Sequence, residues 1–216
     1  MALTVAVAGR PLVLWPERAA FDSESRTLLV ADTHLGKAQA FRRLGVPVPG
    51  GTTADNLLTL SRLVERTGAR GIVFLGDLLH ARHGRSPAVL EAVARWRVRH
   101  AGLELRLVRG NHDSRAGDPP PDWGVEVVDE PWPLGPWALC HHPHPVPGAY
   151  VLAGHLHPAV TLGRGIDRLR LPCFHFGAEV GVLPAFGAFT GTHTIERAPG
   201  DRVCVIAHDE VRLLPG

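Results

Sequence analysis

The chain reads as an α/β protein, and three features of its 216 residues point that way. Short β-branched or leucine-rich runs recur, helix-patterned segments separate the early ones, and several runs stop at a glycine beside polar side chains. Strand, helix, strand, helix, strand is the order that builds a parallel sheet with helices packed on it. Composition agrees with an ordinary globular protein, at 45% hydrophobic and 20% charged residues. The length suits one domain spanning 1–216 better than two.

Taken in order, Met1 to Gly9 is mildly apolar without a basic leader and is read as a first strand rather than a signal peptide. Thr27 to Ala31 forms the next run and ends in Asp32-Thr33-His34. Thr53 to Thr67 then puts Leu57, Leu58, Leu60, Leu63 and Val64 on one helical side, with Thr52 or Thr53 as N-cap. Ile72 to Leu75 ends in Gly76-Asp77, and Pro87 to His100 is a second helix with proline in its first turn. Leu103 to Val108 leads to Gly110-Asn111-His112-Asp113, a turn-forming sequence in which Asn111 can adopt a left-handed conformation. Asp118 to Pro121 is a proline-rich loop. Ala138 to Cys140 precedes His141-His142, and Tyr150 to Ala153 precedes Gly154-His155-Leu156-His157, where alternation would place both imidazoles on one side of an extended segment. Beyond residue 158 the chain is glycine-rich and strand-like, with Val203 to Ile206 and Val211 to Leu214 as late strands.

The charge balance is +2, and Lys37 is the only lysine, so the positive charge is almost all arginine, whose planar fork suits phosphate. Cys140, Cys173 and Cys204 are far apart without a C-x-x-C pair, which excludes a cysteine zinc site and fits a reducing, cytoplasmic setting. No apolar run is long enough to cross a bilayer.

In open α/β sheets ligands bind at the carboxyl ends of strands, so polar groups far apart in sequence can converge there. D-x-H or G-D alone is an ordinary turn or cap. Asp, His and Asn delivered by one strand after another are a metal-ligand set. Oxygen and imidazole donors without thiolate suit manganese, iron, zinc or cobalt.

The ordered motifs Asp32-x-His34, Gly76-Asp77, Gly110-Asn111-His112-Asp113, His141 and Gly154-His155-x-His157 resemble the calcineurin-like metallophosphoesterase superfamily. The resemblance implies two packed β-sheets flanked by helices, with the site at the sheet tops. It also implies two divalent ions, manganese first, with iron, zinc, cobalt or magnesium as alternatives. Asp32, His34 and His157 would hold one, Asn111, His141 and His155 the other, and Asp77 would bridge them. His141 is preferred over His142 because relatives place the ligand at the strand end. Two ions about 3.5–4 Å apart clamp the attacking and leaving oxygens of a phosphoryl displacement, and a water held by both becomes the nucleophile near neutral pH. His112 is the general acid or transition-state stabiliser, oriented by His80, three residues past Asp77, or by Asp113.

Over residues 10 to 215 the chain most resembles the bacterial ligase-associated DNA-damage-response phosphoesterases. The resemblance rests on Leu29 to Lys37, Gly45-Val46-Pro47-Val48-Pro49, Leu75 to His80, Cys140 to Pro143 and Gly154 to Pro158. His142 departs from it, since relatives commonly carry Glu there. It implies a manganese-dependent phosphodiesterase that nicks DNA in single-stranded regions, associated with an ATP-dependent ligase, a helicase and an exonuclease. Lys37, Arg42 and Arg43 follow the first motif closely enough to bind a phosphodiester backbone. Arg82, His83 and Arg85 follow the second in the same way, and Phe41, Trp123, Trp132 and Trp137 are read as core or loop packing, with stacking on bases as the alternative. A small-molecule phosphohydrolase would use the same metal core, and a non-catalytic scaffold would be expected to have lost ligands that are all present here.

Overall fold

A computed structural model describes residues 1–48, 51–163, 165, 168–187 and 189–215. Pro49, the end of one of the resemblance motifs, lies outside the described residues. Among the described residues, strands β1 (Leu3–Val7), β2 (Arg10–Trp15), β3 (Ala19–Asp22), β4 (Thr27–Val30), β5 (Gly71–Leu75), β6 (Glu104–Val108) and β7 (Val125–Val128) form a first sheet in sequence order. It is antiparallel from β1 to β4 and parallel from β4 to β7. Helix α2 (Thr52–Thr67) crosses from β4 to β5, and α3 (Pro87–Arg99) from β5 to β6, the connections that parallel pairing demands.

The second sheet comprises β8 (Trp132–Leu134), β9 (Trp137–Leu139), β10 (Tyr150–Ala153), β11 (Pro158–Leu162), β12 (Leu169–Phe176), β13 (Val180–Val182), β14 (His193–Thr194), β15 (Arg202–Ala207) and β16 (Glu210–Leu213). Its order is β14-β11-β12-β13-β10-β9-β8, with β15 pairing β12 and β16 pairing β15. β9 and β10 run parallel, so both deliver their carboxyl ends to one edge.

Strand alternation explains the unbroken apolar runs. Leu28, Val30, Ile72 and Phe74 face a core shared with Leu57, Leu60 and Leu63 of α2 and Trp96 of α3. Leu29, Ala31, Val73 and Leu75 face the second core, filled from the other sheet by Leu139, Leu152, Phe174 and Phe176. A strand buried on both faces has no polar position to spare. The expected two-sheet, helix-flanked α/β architecture is the one observed.

Local details differ from the sequence reading. Neither threonine caps α2: Gly51 takes that position, while Thr53 Oγ1 accepts from the amide of Gly36. A short helix, α1 (Lys37–Arg43), starts behind the left-handed Gly36, and Asn111 opens a further helix, α4 (Asn111–Ala116), instead of turning left-handed. Cys140, Cys173 and Cys204 are buried and free. Among the described residues no helix is long and apolar enough to cross a membrane.

Candidate metal centre

Every ligand expected from the sequence lies just past a strand, and the loops that carry them are bonded to one another. The 34–37 and 77–80 segments pair through His34 N to Asp77 O and Leu35 N to Leu78 O, both 2.8 Å, setting His34 beside Asp77. The amide of His155 donates to Asp32 Oδ2 at 2.9 Å, tying the second sheet to the first. Packing is tight enough to require glycine twice. At Gly76 (φ 76°) a Cβ would overlap the His141 ring, and at Gly110 it would overlap the Asp77 carboxylate.

The ligands expected from the sequence fall into two clusters, with His142 in reach of His141 and His155, and His80 and His112 in reach of His34. Asp32, His34 and His157 present ligand atoms within 4.8 Å of one another. His157 Nδ1–H donates to the Gly191 carbonyl at 3.1 Å, and its Nε2 lies 3.4 Å from Asp32 Oδ1. Around the second cluster, His141 Nε2 lies 2.9 Å from Asn111 Oδ1, 3.1 Å from His155 Nδ1 and 3.5 Å from Asp77 Oδ1. His141 Nδ1 is 3.0 Å from the Leu75 carbonyl, which can only accept, so that nitrogen carries the proton. Fixing the outer ring nitrogen on a carbonyl and aiming the inner lone pair at other acceptors is how metal-ligating histidines are held. Asp77 stands between, with Oδ1 toward His141 and Oδ2 3.9 Å from His34 Nε2.

A cation fits this donor set. Asp32 Oδ1, both ring nitrogens of His34 and Nε2 of His157 are buried without a hydrogen-bond partner. Each such group costs about 1–3 kcal/mol. Burial first, then the charges of Lys37, His112, His157 and His80, push the His34 pKa down to about 2, so its lone pair is free at neutral pH. Burial also lowers His155, helped by His141 and His142. The backbone is strained at the same places: Asp32, His34, Asp77, His155 and His157 all have φ between 45° and 71°. Left-handed backbone at non-glycine residues costs about 1–3 kcal/mol each and concentrates at functional sites. The left-handed turns at His155 and His157 also overturn the extended-segment reading, since the two rings enter different clusters.

His112 sits at the mouth, with side-chain exposure of 31%. Its amide donates to Asp77 Oδ1 at 2.9 Å, and its Nδ1–H to the carbonyl of His80 at 2.7 Å. The expectation that the His80 imidazole or Asp113 orients it is corrected here. The main-chain carbonyl of residue 80 does so, while the His80 ring stacks on the His112 ring. Burial, with the charges of Lys37 and His112, lowers His80 to about 4. Asp113 instead accepts the amides of Asp77 (2.7 Å), Gly110 (3.0 Å) and Leu79 (3.1 Å), locking two ligand loops together. Burial pushes its pKa up to about 6 despite those bonds, with the Asp77 charge adding to the rise.

Lys37 lies against the first cluster, lining a recess with Thr33 and His34. Burial lowers its pKa while Asp32 and Asp77 oppose the shift. Arg42 and Arg43 are exposed in the last turn of α1. Arg85 is used structurally, its guanidinium donating to the carbonyls of Ala116, Gly117 and Asp118. Trp123 and Trp137 are core residues, and Arg106 covers Trp132, so none of these offers a free face to a base. Glu130 was missed by sequence reasoning. Its Oε2 accepts the amides of His141 and His142 at 2.7 and 2.9 Å, and its Oε1 holds His142 Nδ1 at 2.7 Å. Burial opposes ionisation there, but the His142 ring and the two amides hold Glu130 below its usual range.

A catalytic edge of this kind, on two packed sheets, defines a metal-dependent phosphoesterase, and the chain belongs to the calcineurin-like phosphoesterase family, whose model matches residues 25–177. Its structure matches that of Pseudomonas putida nuclease MPE with a TM-score of 0.89 and 42% identity, over 99% of this chain and 100% of that one. That match is consistent with the ligase-associated DNA-damage-response group. Yfce, a phosphoesterase from E. coli, is 17% identical over 85% of this chain and 88% of its own, with a TM-score of 0.36. A conserved predicted phosphoesterase from Streptococcus pneumoniae is 15% identical over 88% and 92%, at 0.32. No curated protein matches the chain.

Proposed function

We propose that this chain is a manganese-dependent, two-metal phosphodiesterase that nicks DNA in single-stranded regions, acting in repair in the cytoplasm, with residues 1–216 as one domain. The observation that carries the reading is the Asp77 carboxylate, whose two oxygens face different donor clusters. Asp32, His34 and His157 would hold one ion, Asn111, His141 and His155 the other, and Asp77 both. Bound there, such a pair supplies an activated nucleophile and neutralises charge on the phosphoryl oxygens. His112, with Nδ1 engaged by the His80 carbonyl, keeps Nε2 for the leaving oxygen. His80 and Asp113 act as positioning residues. Lys37, Arg42 and Arg43 contact the phosphate backbone. By family analogy the protein works beside an ATP-dependent DNA ligase, a helicase and an exonuclease.

A polymeric substrate is supported by the 42% identity to a nuclease and by the openness of the site. Beside the second cluster a groove of about 450 Å³ is lined by Asn111, His142, Arg109 and Arg115, with Asp129 and Glu130 also on its wall. A strand can lie across such an edge without being threaded. Cleavage of a labelled single-stranded oligonucleotide, run beside bis-p-nitrophenyl phosphate and p-nitrophenyl phosphate, tests this. Internal, manganese-stimulated cuts with diester preference are expected. Diester turnover with every oligonucleotide left intact would point instead to a small-molecule hydrolase, and inertness toward all three to a scaffold.

A further inference from the structure

Aromatic rings continue outward from the donor clusters. The His112 and His80 rings lie 5.0 Å apart with planes at 21°, and Phe41 continues from His80 at 6.1 Å and 29°. Phe189 meets Phe41 edge-on at 5.8 Å and is 39% exposed. Neither phenylalanine belongs to the hydrophobic core beneath, which takes Phe186 instead. Lys37 sits one turn before Phe41 on α1, so the ammonium and the ring share a face. Phe189 and Lys37 line the same recess as Thr33 and His34. A half-exposed π-surface thus lies directly beside the catalytic edge, with a cation next to it.

Resting on the nuclease reading above, we propose that Phe189 and Phe41 form a stacking shelf for one nucleobase next to the scissile phosphodiester, while Lys37 holds a neighbouring phosphate. Aromatic side chains stack on any base, because every base has a π-face, and they do so without reading sequence. A base within a duplex has both faces covered by its neighbours, so the shelf selects unpaired positions. A phosphomonoester or inorganic phosphate would gain nothing from it.

The test crosses protein variants with an abasic residue stepped along a single-stranded oligonucleotide, in the full-length, metal-loaded enzyme. Phe189→Ala and Phe189→Leu should each lower kcat/KM on the intact strand by about five- to 160-fold, the range expected for one lost base stack. Phe189→Trp should restore it. One abasic position should slow the wild type to a similar extent and add nothing to Phe189→Ala. Metal content and melting temperature should match wild type in all three variants. Leucine performing as well as phenylalanine, or a loss that is equal whether or not any base is missing, would overturn the shelf. If the wild type hydrolyses bis-p-nitrophenyl phosphate but cuts no oligonucleotide, the nuclease reading fails, and the shelf with it.

Discussion

The two donor clusters use similar residue types but are held differently. Asp32 and His34 are buried, and four atoms of the first cluster have no hydrogen-bond partner, although His157 Nε2 lies 3.4 Å from Asp32 Oδ1. Around His141 the donors lean on one another at 2.9–3.5 Å, His155 and Asn111 are half-buried, and a groove opens alongside. An ion entering the first cluster relieves desolvation already present in the fold. One entering the second must part groups that already touch and must compete with water. On the proposed reading the first cluster is the tighter, resident site, and the second is exchangeable and open to substrate.

The largest effect should come from the residue common to both. Asp77→Asn is expected to abolish measurable turnover and to lower metal content at both clusters, read by kinetics and elemental analysis of the same preparation. His112 is proposed as a proton donor and not as a ligand, so His112→Ala should lower kcat by about 10²- to 10⁴-fold, the usual range for a general acid, with metal content nearly intact. Equal metal loss in the two variants would remove the distinction between ligand and proton donor.

Chelation addresses the stored strain. Ligand at about 100 times its Kd contributes about 2.7 kcal/mol, so stripping the metal should lower Tm by roughly 5–10 °C in a chain of this size. Asp32→Asn should abolish most of that difference, whereas His155→Ala should abolish less, because its cluster starts nearer to satisfied.

Acid should show the smallest effect. The folded pKa of His34 lies far below the unfolded value of 6.5, so the unfolded chain binds the proton more tightly there. Its contribution is present above pH 6.5 and falls by about 2 kcal/mol by pH 5. Asp113, raised to about 6, acts oppositely: its protonation favours the folded form as pH drops from 6 toward 3.8. Denaturation of the metal-free protein between pH 7 and 5 should therefore steepen in Asp113→Asn. A flatter profile in that variant would contradict the burial argument.

The same contrast explains what could be read in advance. β10 was legible to the residue because it is short, apolar and stops at glycine, and the motif residues were legible because each follows such a run. α1 escaped because a seven-residue helix behind a left-handed glycine shows neither a polar cap nor a full apolar period. Strands β11 to β14 are interrupted by proline or glycine, or are too short, and their pairing is set by the sheet rather than by local pattern. The Asp113 bonds to three amides, the Glu130 grip on His141 and the use of the His80 carbonyl all run through main chain, which leaves no mark on residue type. On the proposed reading, residues that meet the metals are marked by their chemistry and so are visible. The main-chain bonds that hold them in place, including those of Asp113 and residue 80, act through geometry and appear only in the fold.

Two ions sharing Asp77 is the claim on which the rest depends. Titrating the metal-free protein with Mn²⁺, with binding followed by calorimetry and the spin state by electron paramagnetic resonance, measures it directly. Two ions per chain are expected, the tighter one filling first, with an exchange-coupled signal growing as the second enters and vanishing in Asp77→Asn. Saturation at a single ion, or two ions that remain magnetically independent, would contradict it.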